Sequence, residues 1–315
     1  MDRKDFIKLL GAGGAALFAI KYGLLKEQPS KNSVKLGALR TSWIRDEGEL
    51  SHSLRVLGEV EKALNSEHLD LLITPEYSFH THWNVNGEGM PLKLSQIDEN
   101  VFETDKSQTD EFTQFVVEEG IWMAKRYRSN LLLSTFYDYD SKGDGTTSAI
   151  FVNSDGIITG LKRKFEPPVG SFNINHGQHS LKILPLICGE AWETMKDDTT
   201  TGDWQSVPPQ WVKDGAPFDI LCHSLSQGDV DFNGMVKLVQ GEVGIPDNEL
   251  YNTDRTWLES AFTSYYGGYF QYLRPNAPII ISDISMAGAF NETLEEMKNF
   301  SDSGNYVAVE IPVNH

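Results

Sequence analysis

From Val34 onward short apolar runs alternate with amphipathic stretches, and that alternation admits few architectures. "VKLGAL" reads as a strand. "ELSHSLRVLGEVEKALNS" follows, with Leu50, Leu54, Leu57, Val60 and Leu64 at helical spacing, and then "LDLLITPE", a buried strand ending at Glu76. After the polar loop "HTHWNVNGEGMP" a second helix is expected over "TDEFTQFVVEEGIWMAKRYRS" and a strand over "NLLLSTFYDY". "TTSAIFVNSDGIITGLKRKF" is two strands turned at Asp155-Gly156, a strong hairpin signal. A strand then runs into Cys188. "FDILCHSLSQG" is another, "DRTWLESAFTSYYGGYFQYLR" a helix, and "PIIISDISMAGAF" and "YVAVEIPV" close the pattern. Helices interleaved with a mixed sheet imply an α/β fold with helices layered over sheet.

The chain has 315 residues, 40% of them hydrophobic, enough for one substantial core. No internal repeat or low-complexity linker divides it, so residues 31–315 read as one domain. A formal net charge of −18 leaves no basic footprint for phosphate contacts, and no nucleic-acid partner is expected. Two cysteines, Cys188 and Cys222, exclude a disulfide framework.

Residues 1–30 differ in kind. Arg3, Lys4 and Lys8 precede an apolar, Gly- and Ala-rich segment from Leu9 to Ile20, the layout of an export signal. The pattern resembles a twin-arginine signal with Lys4 in place of the second arginine. The segment is shorter than the roughly 18 to 20 apolar residues a membrane-spanning helix needs. No small-x-small cleavage site follows Ile20, so an uncleaved membrane tether stands beside a cleaved signal, and a helix packed on the domain is the third reading. The expected location is exported, or anchored on the periplasmic side, with a cytoplasmic location as the alternative.

Three chemically distinct side chains fall at strand ends: Glu76 after "LLITP", Lys164 after "IITGLKR" and Cys188 after "ILPLI". Each alone has an ordinary structural explanation as a loop carboxylate, a solvated cation or a core thiol. Together they supply the base, cation and nucleophile that acyl transfer at a thiol requires. Lys162, two residues before Lys164, competes for the role of cation on the same strand face.

"LLITPEYSF", "GLKRKFEPP" and "LPLICGEAW", in that order, resemble the three motifs of the nitrilase superfamily of carbon–nitrogen hydrolases. The resemblance spans nearly all of residues 34–315. It implies a four-layer α-β-β-α sandwich and a Glu-Lys-Cys triad in which Glu76 is the base, Lys164 holds the oxyanion and Cys188 is the nucleophile. The family's lysine directly follows a basic residue, which favours Lys164 behind Arg163. The backbone N–H of Gly189 is expected to assist at the oxyanion, and Glu190 to have a structural or positioning role. Many members place a second glutamate eight residues after the lysine, where this chain has Phe172; Glu166 lies too near the lysine to align there.

The implied activity is cleavage of a non-peptide carbon–nitrogen bond in a small amide, carbamoyl or nitrile substrate through a Cys188 thioester, without a cofactor. A non-catalytic ligand- or partner-binding protein and an amide-forming acyltransferase are the alternatives, and a homo-oligomer is expected. His80 and His82 lack a third ligand at zinc spacing, so no metal is expected, and "DYDSKGDG" reads as a hairpin turn rather than a calcium loop. His176 and His179 read as solvated loop residues, with lining the pocket as the alternative. The cluster "FTSYYGGYFQY" reads as core or a subunit surface, with closing the site over substrate as the alternative.

Overall fold

The computed structural model describes residues 32–41, 49–79, 92–191, 195–198, 203–225, 266–282, 287–290, 300–302 and 305–313. The N-terminal segment 1–30, His80 to His82 and positions 254–265 of the expected late helix lie outside the described residues. In chain order the strands are β1 (Ser33–Leu39), β2 (Leu71–Ile73), β3 (Leu94–Asp98), β4 (Val101–Thr104), β5 (Asn130–Tyr139), β6 (Gly145–Val152), β7 (Ile158–Arg163) and β8 (Val169–Gly170). They continue as β9 (Asn173–His176), β10 (His179–Ile187), β11 (Met195–Asp198), β12 (Asp203–Ser206), β13 (Ile220–Ser224), β14 (Ile279–Ser282), β15 (Ala287–Phe290), β16 (Phe300–Asp302) and β17 (Tyr306–Pro312). The helices are α1 (Glu49–Ser66), α2 (Glu111–Tyr127) and the short α3 (Gln210–Gly215).

Two large sheets result. The first runs β16-β17-β1-β2-β5-β6-β7-β4-β3, with β8 paired to β7, and the second runs β15-β14-β13-β10-β9. In the first, β1, β2 and β5 are parallel neighbours; in the second, β10, β13 and β14 are. Strands buried on both faces read as unbroken apolar runs, and strand alternation sorts their side chains between two cores. Leu131 and Leu133 of β5 point toward the helices, packing with Val56, Val60 and Leu64 of α1 and Val116, Val117 and Met123 of α2. Leu132 points the other way, into a core shared by Val34, Leu36, Ile73 and Phe151 of the first sheet with Ile183, Ile187, Ile220, Cys222 and Ile280 of the second. The far side of the second sheet packs Leu184, Leu186 and Leu221 against Val212 of α3 and Tyr266 and Tyr269 of a helical segment at 266–270. The order through the molecule is thus helices, sheet, sheet, helices.

Local chemistry sets the boundaries of α2. The Asp110 carboxylate accepts the N–H groups of Phe112 and Thr113, and Arg128 closes the helix in the left-handed conformation with its N–H on the Ala124 carbonyl. The β5–β6 hairpin turns within "DYDSKGDG", as its composition implies: Asp140 accepts the N–H groups of Lys142 and Asp144, and Gly143 takes φ +89°.

The core between the sheets changes character at the C-terminal ends of the parallel strands. Ser224 Oγ donates to Ser134 Oγ at 2.8 Å, Ser282 Oγ to the Leu39 carbonyl at 2.5 Å, and Glu76 N to the Leu225 carbonyl at 2.9 Å. Each bond joins one sheet to the other. Ligands in open α/β sheets bind at the carboxyl ends of the strands, and here that end carries the polar groups.

Candidate active site

The three side chains singled out in the sequence arrive from both sheets and meet. Glu76 sits in the turn after β2, which stops at Ile73 rather than running to the glutamate; Lys164 opens the turn after β7; Cys188 opens a 3₁₀ turn, Cys188–Ala191, after β10. Lys164 Nζ lies 3.7 Å from Glu76 Oε1, whose side chain is fully buried. The Cys188 thiol lies within the electrostatic reach of both the Glu76 carboxylate and the Lys164 ammonium, whose charges act on it in opposite directions.

Backbone strain gathers at these three turns. Tyr77, Phe165 and Cys188 have φ of +59°, +64° and +45°, three of the five described non-glycine residues in the left-handed region. A bulky side chain there costs about 1–3 kcal/mol and persists only where the surroundings enforce it. Tyr77 N donates to Thr135 Oγ1 at 2.9 Å, and Phe165 N to Glu190 Oε1 at 2.8 Å.

Electrostatics keeps the resting thiol protonated. Burial, followed by the adjacent Glu76 charge, pushes the Cys188 pKa up to about 12, against the opposing pull of Lys164. Burial works against the Lys164 ammonium, but Glu76 and then Cys188 outweigh it, and its pKa is raised. Tyr77, beside them, has its phenol pKa raised by burial and by the Glu76 charge. A thiol of this kind becomes a nucleophile by giving its proton to a neighbouring base during attack.

The two lysines of "GLKRK" separate cleanly. Lys162 is fully buried and its ammonium is spent on the Glu190 carboxylate and the carbonyls of Arg163, at 2.6 Å, and Glu166, at 2.9 Å. Lys164 is the one that faces Glu76 and Cys188. Glu190 in turn does more than pair with Lys162. Its Oε1 accepts Phe165 N and its Oε2 accepts Ile187 N at 2.7 Å, so one carboxylate ties the residue after Lys164 to the residue before Cys188. Gly189, buried in the 3₁₀ turn, follows the cysteine directly.

Phe172 is a core residue. Its ring lies 5.6 Å from that of Phe151 in the core between the sheets, so no carboxylate stands at the aligned position. Glu166 accepts Ser141 N at the rim of a cleft of about 840 Å³ that Tyr77, Tyr137, Thr147, Lys164 and Phe165 also line. That cleft meets the site through Tyr77 and Lys164.

The reading of His176 as a solvated loop residue is corrected: it is buried at the end of β9, its Nδ1 3.5 Å from Asp70, at the opposite end of the strands from Cys188. Asp70 supplies an acceptor there that the sequence pattern did not bring into view. Both cysteines are free thiols, Cys222 fully buried with its pKa raised by burial. Among the described residues no group of three or more His, Cys, Asp or Glu is arranged to hold a metal ion.

Two contributors were missed in the sequence. His223 lies in the quoted strand "FDILCHSLSQG", and a lone imidazole inside an apolar run was the available signal; it contacts the Cys188 carbonyl at 2.8 Å and Tyr266 Oη at 2.6 Å. Tyr269, from the aromatic cluster read as core or subunit surface, is fully buried and donates to the Glu190 carbonyl at 2.9 Å.

The sequence matches no protein-family model and no curated protein. Among solved structures, a carbon–nitrogen hydrolase from Helicobacter pylori is similar over 88% of each chain, with TM-score 0.50 and 14% identity. Nit3 from Saccharomyces cerevisiae, a member of branch 10 of the nitrilase superfamily, is similar over 90% of this chain and 91% of its own, with TM-score 0.49 and 10% identity. A mutant of a Nesterenkonia amidase from the nitrilase superfamily follows, over 92% and 94%, with TM-score 0.48 and 11% identity. The likeness to the Helicobacter pylori structure is one of fold.

Proposed function

We propose that this chain, which has the carbon–nitrogen hydrolase fold, is a thiol hydrolase of a non-peptide carbon–nitrogen bond in a small amide, carbamoyl or nitrile substrate. The observation that carries the reading is a buried carboxylate and an ammonium 3.7 Å apart, brought from two strand ends to act together on the thiol of a third. Glu76 takes the Cys188 proton as sulfur attacks the substrate carbon, and Lys164 with the Gly189 N–H holds the charge that develops on the substrate heteroatom. For an amide, Glu76 returns the proton to the leaving nitrogen as the carbon–nitrogen bond breaks, leaving a thioester on Cys188. Water then gives a proton to Glu76 and attacks that carbon, the thiolate leaves, and the proton returns to sulfur. One water is consumed per turnover, and the three side chains return to their starting protonation states.

The test is covalent. A slowly deacylating substrate adds its acyl mass to Cys188 and releases one amine per site in the first turnover, and Cys188→Ala removes both. Acyl mass on Cys222, or turnover by folded Cys188→Ala protein, defeats the assignment. The position of Phe172 in the core favours a second reading, a binding protein without turnover; absence of any adduct or amine release across amide, carbamoyl and nitrile panels selects it.

Export is proposed from the pattern of residues 1–30 alone, with residues 31–315 as the catalytic domain and a homo-oligomer as its assembly. Among the described residues no helix is long and apolar enough to cross a membrane.

A further inference from the structure

His223 is fully buried on β13, next to the strand that carries the cysteine, and it is not among the groups that meet the substrate in the mechanism above. Its Nε2 lies 2.8 Å from the Cys188 carbonyl oxygen and its Nδ1 2.6 Å from Tyr266 Oη. A carbonyl only accepts, so Nε2 carries the proton and donates it; Nδ1 then has a lone pair and accepts from the Tyr266 hydroxyl. The chain of donors runs in one direction, from tyrosine to imidazole to peptide carbonyl. Burial holds the imidazole neutral, with a pKa of about 4, and its two hydrogen-bond partners select this tautomer.

The peptide unit at the end of that chain joins Cys188 to Gly189. It is planar and trans, since the cis bonds among the described residues are Ser134-Thr135 and Ala216-Pro217. In a trans peptide the carbonyl and the N–H point in opposite directions. Fixing the Cys188 carbonyl on His223 therefore fixes the Gly189 N–H facing away from His223. The Cys188 φ of +45° is a sparsely populated conformation, and a hydrogen bond to its carbonyl helps to hold it there. A donor on the carbonyl also polarises the N–H of the same peptide, as bonds in a chain strengthen one another.

We propose that His223, backed by Tyr266, is the positioning residue of the oxyanion site, holding the Cys188–Gly189 peptide in the orientation that aims the Gly189 N–H at the reacting substrate. The inference rests on the acyl-transfer reading above and adds to it the group that orients the backbone donor. It also gives the helical segment at 266–270 a part in catalysis through its tyrosines, which reach the nucleophile turn twice, by Tyr266 through His223 and by Tyr269 on the Glu190 carbonyl.

The experiment compares two reactions of the same sulfur. Amide hydrolysis develops an oxyanion; displacement of iodide from iodoacetamide by Cys188 develops none. In His223→Leu, kcat for the best amide of the panel is expected to fall about a hundredfold, as for loss of one oxyanion donor, with KM and the iodoacetamide rate within about threefold of wild type. The preference for an amide over its thioamide, whose sulfur is the poorer acceptor, should shrink in the variant. His223→Gln, which retains an N–H donor, should recover part of kcat. If His223→Leu does not fold, Tyr266→Phe, which removes one hydroxyl, takes its place with an expected loss of about three- to tenfold. An unchanged kcat, or amide turnover and alkylation falling in parallel, overturns the inference while the hydrolase reading stands. A wild-type protein without turnover on any substrate overturns the hydrolase reading and this inference with it.

Discussion

Replacing Glu190 with Gln changes a carboxylate to an amide of the same shape at the point where the lysine turn and the cysteine turn are joined. Lys162 is fully buried, and Glu190 is the carboxylate that pairs with it. Stranding a buried charge by removing its partner costs about 3–5 kcal/mol. Gln also brings an N–H₂ group against either Lys162 and Phe165 N or Ile187 N, all of them donors, so at least one donor loses its acceptor, for a further cost of about 1–3 kcal/mol. Burial lowers the Lys162 pKa and Glu190 raises it, so in the variant the lysine sheds its proton more readily, which limits the total to about the lower range. With an unfolding entropy of roughly 2.1 cal/mol/K per residue, a loss of about 3–5 kcal/mol lowers the melting temperature by about 5–8 °C. Calorimetry on wild type, Glu190→Gln, Lys162→Met and the double variant measures this as a coupling energy. The double variant has no ammonium to strand and should be more stable than the sum of the single losses. Glu190→Gln within about 1 kcal/mol of wild type, or additive losses in the double variant, would refute the account of the pair; kcat unchanged in the folded single variant would refute the link between the two turns.

Alkylation of Cys188 by iodoacetamide should keep rising with pH above 9, without a plateau until about 12, while the same thiol in urea levels off near its ordinary value; a plateau below pH 9 would mean a preformed thiolate. The same shift predicts falling stability over that window: between pH 9 and about 12 the unfolded thiol has lost its proton and the folded one has not, so denaturant midpoints should drop as pH rises. Lys164 acts in the same direction, its contribution being complete below the ordinary lysine pKa and lost as pH climbs through its raised one. Phe172→Glu should not supply a second carboxylate to the site but place an unpaired one between the sheets, giving a protein that fails to fold at neutral pH; a folded variant with raised kcat would contradict the core placement. Asp110→Ala removes the acceptor for two helix N–H groups and should cost about 1 kcal/mol in urea unfolding, leaving kcat unchanged.

Periodicity carried most of the fold. The helices over Glu49–Ser66 and Glu111–Tyr127 and the strand over Asn130–Tyr139 were legible because apolar spacing reports burial directly. The short hairpin β3–β4 was not, since "LSQID" and "VFET" are half-exposed and carry little apolar signal, and its pairing onto β7 is a tertiary event.

The sequence by itself determined which chemistry is on offer: a carboxylate, a cation and a thiol, each at the end of a buried run. Periodicity left two lysines on one face, because period two puts Lys162 and Lys164 together, and the resemblance alone favoured Lys164 behind Arg163. The physical distinction between them is tertiary: the structure buries Glu190 against the first and Glu76 against the second. Likewise a histidine in an apolar strand and two tyrosines some forty residues later carry no shared pattern along the chain. They act together because the second sheet brings β13 beside β10 and a helical segment beneath both, and hydrogen bonding across such distances is set by packing rather than by spacing.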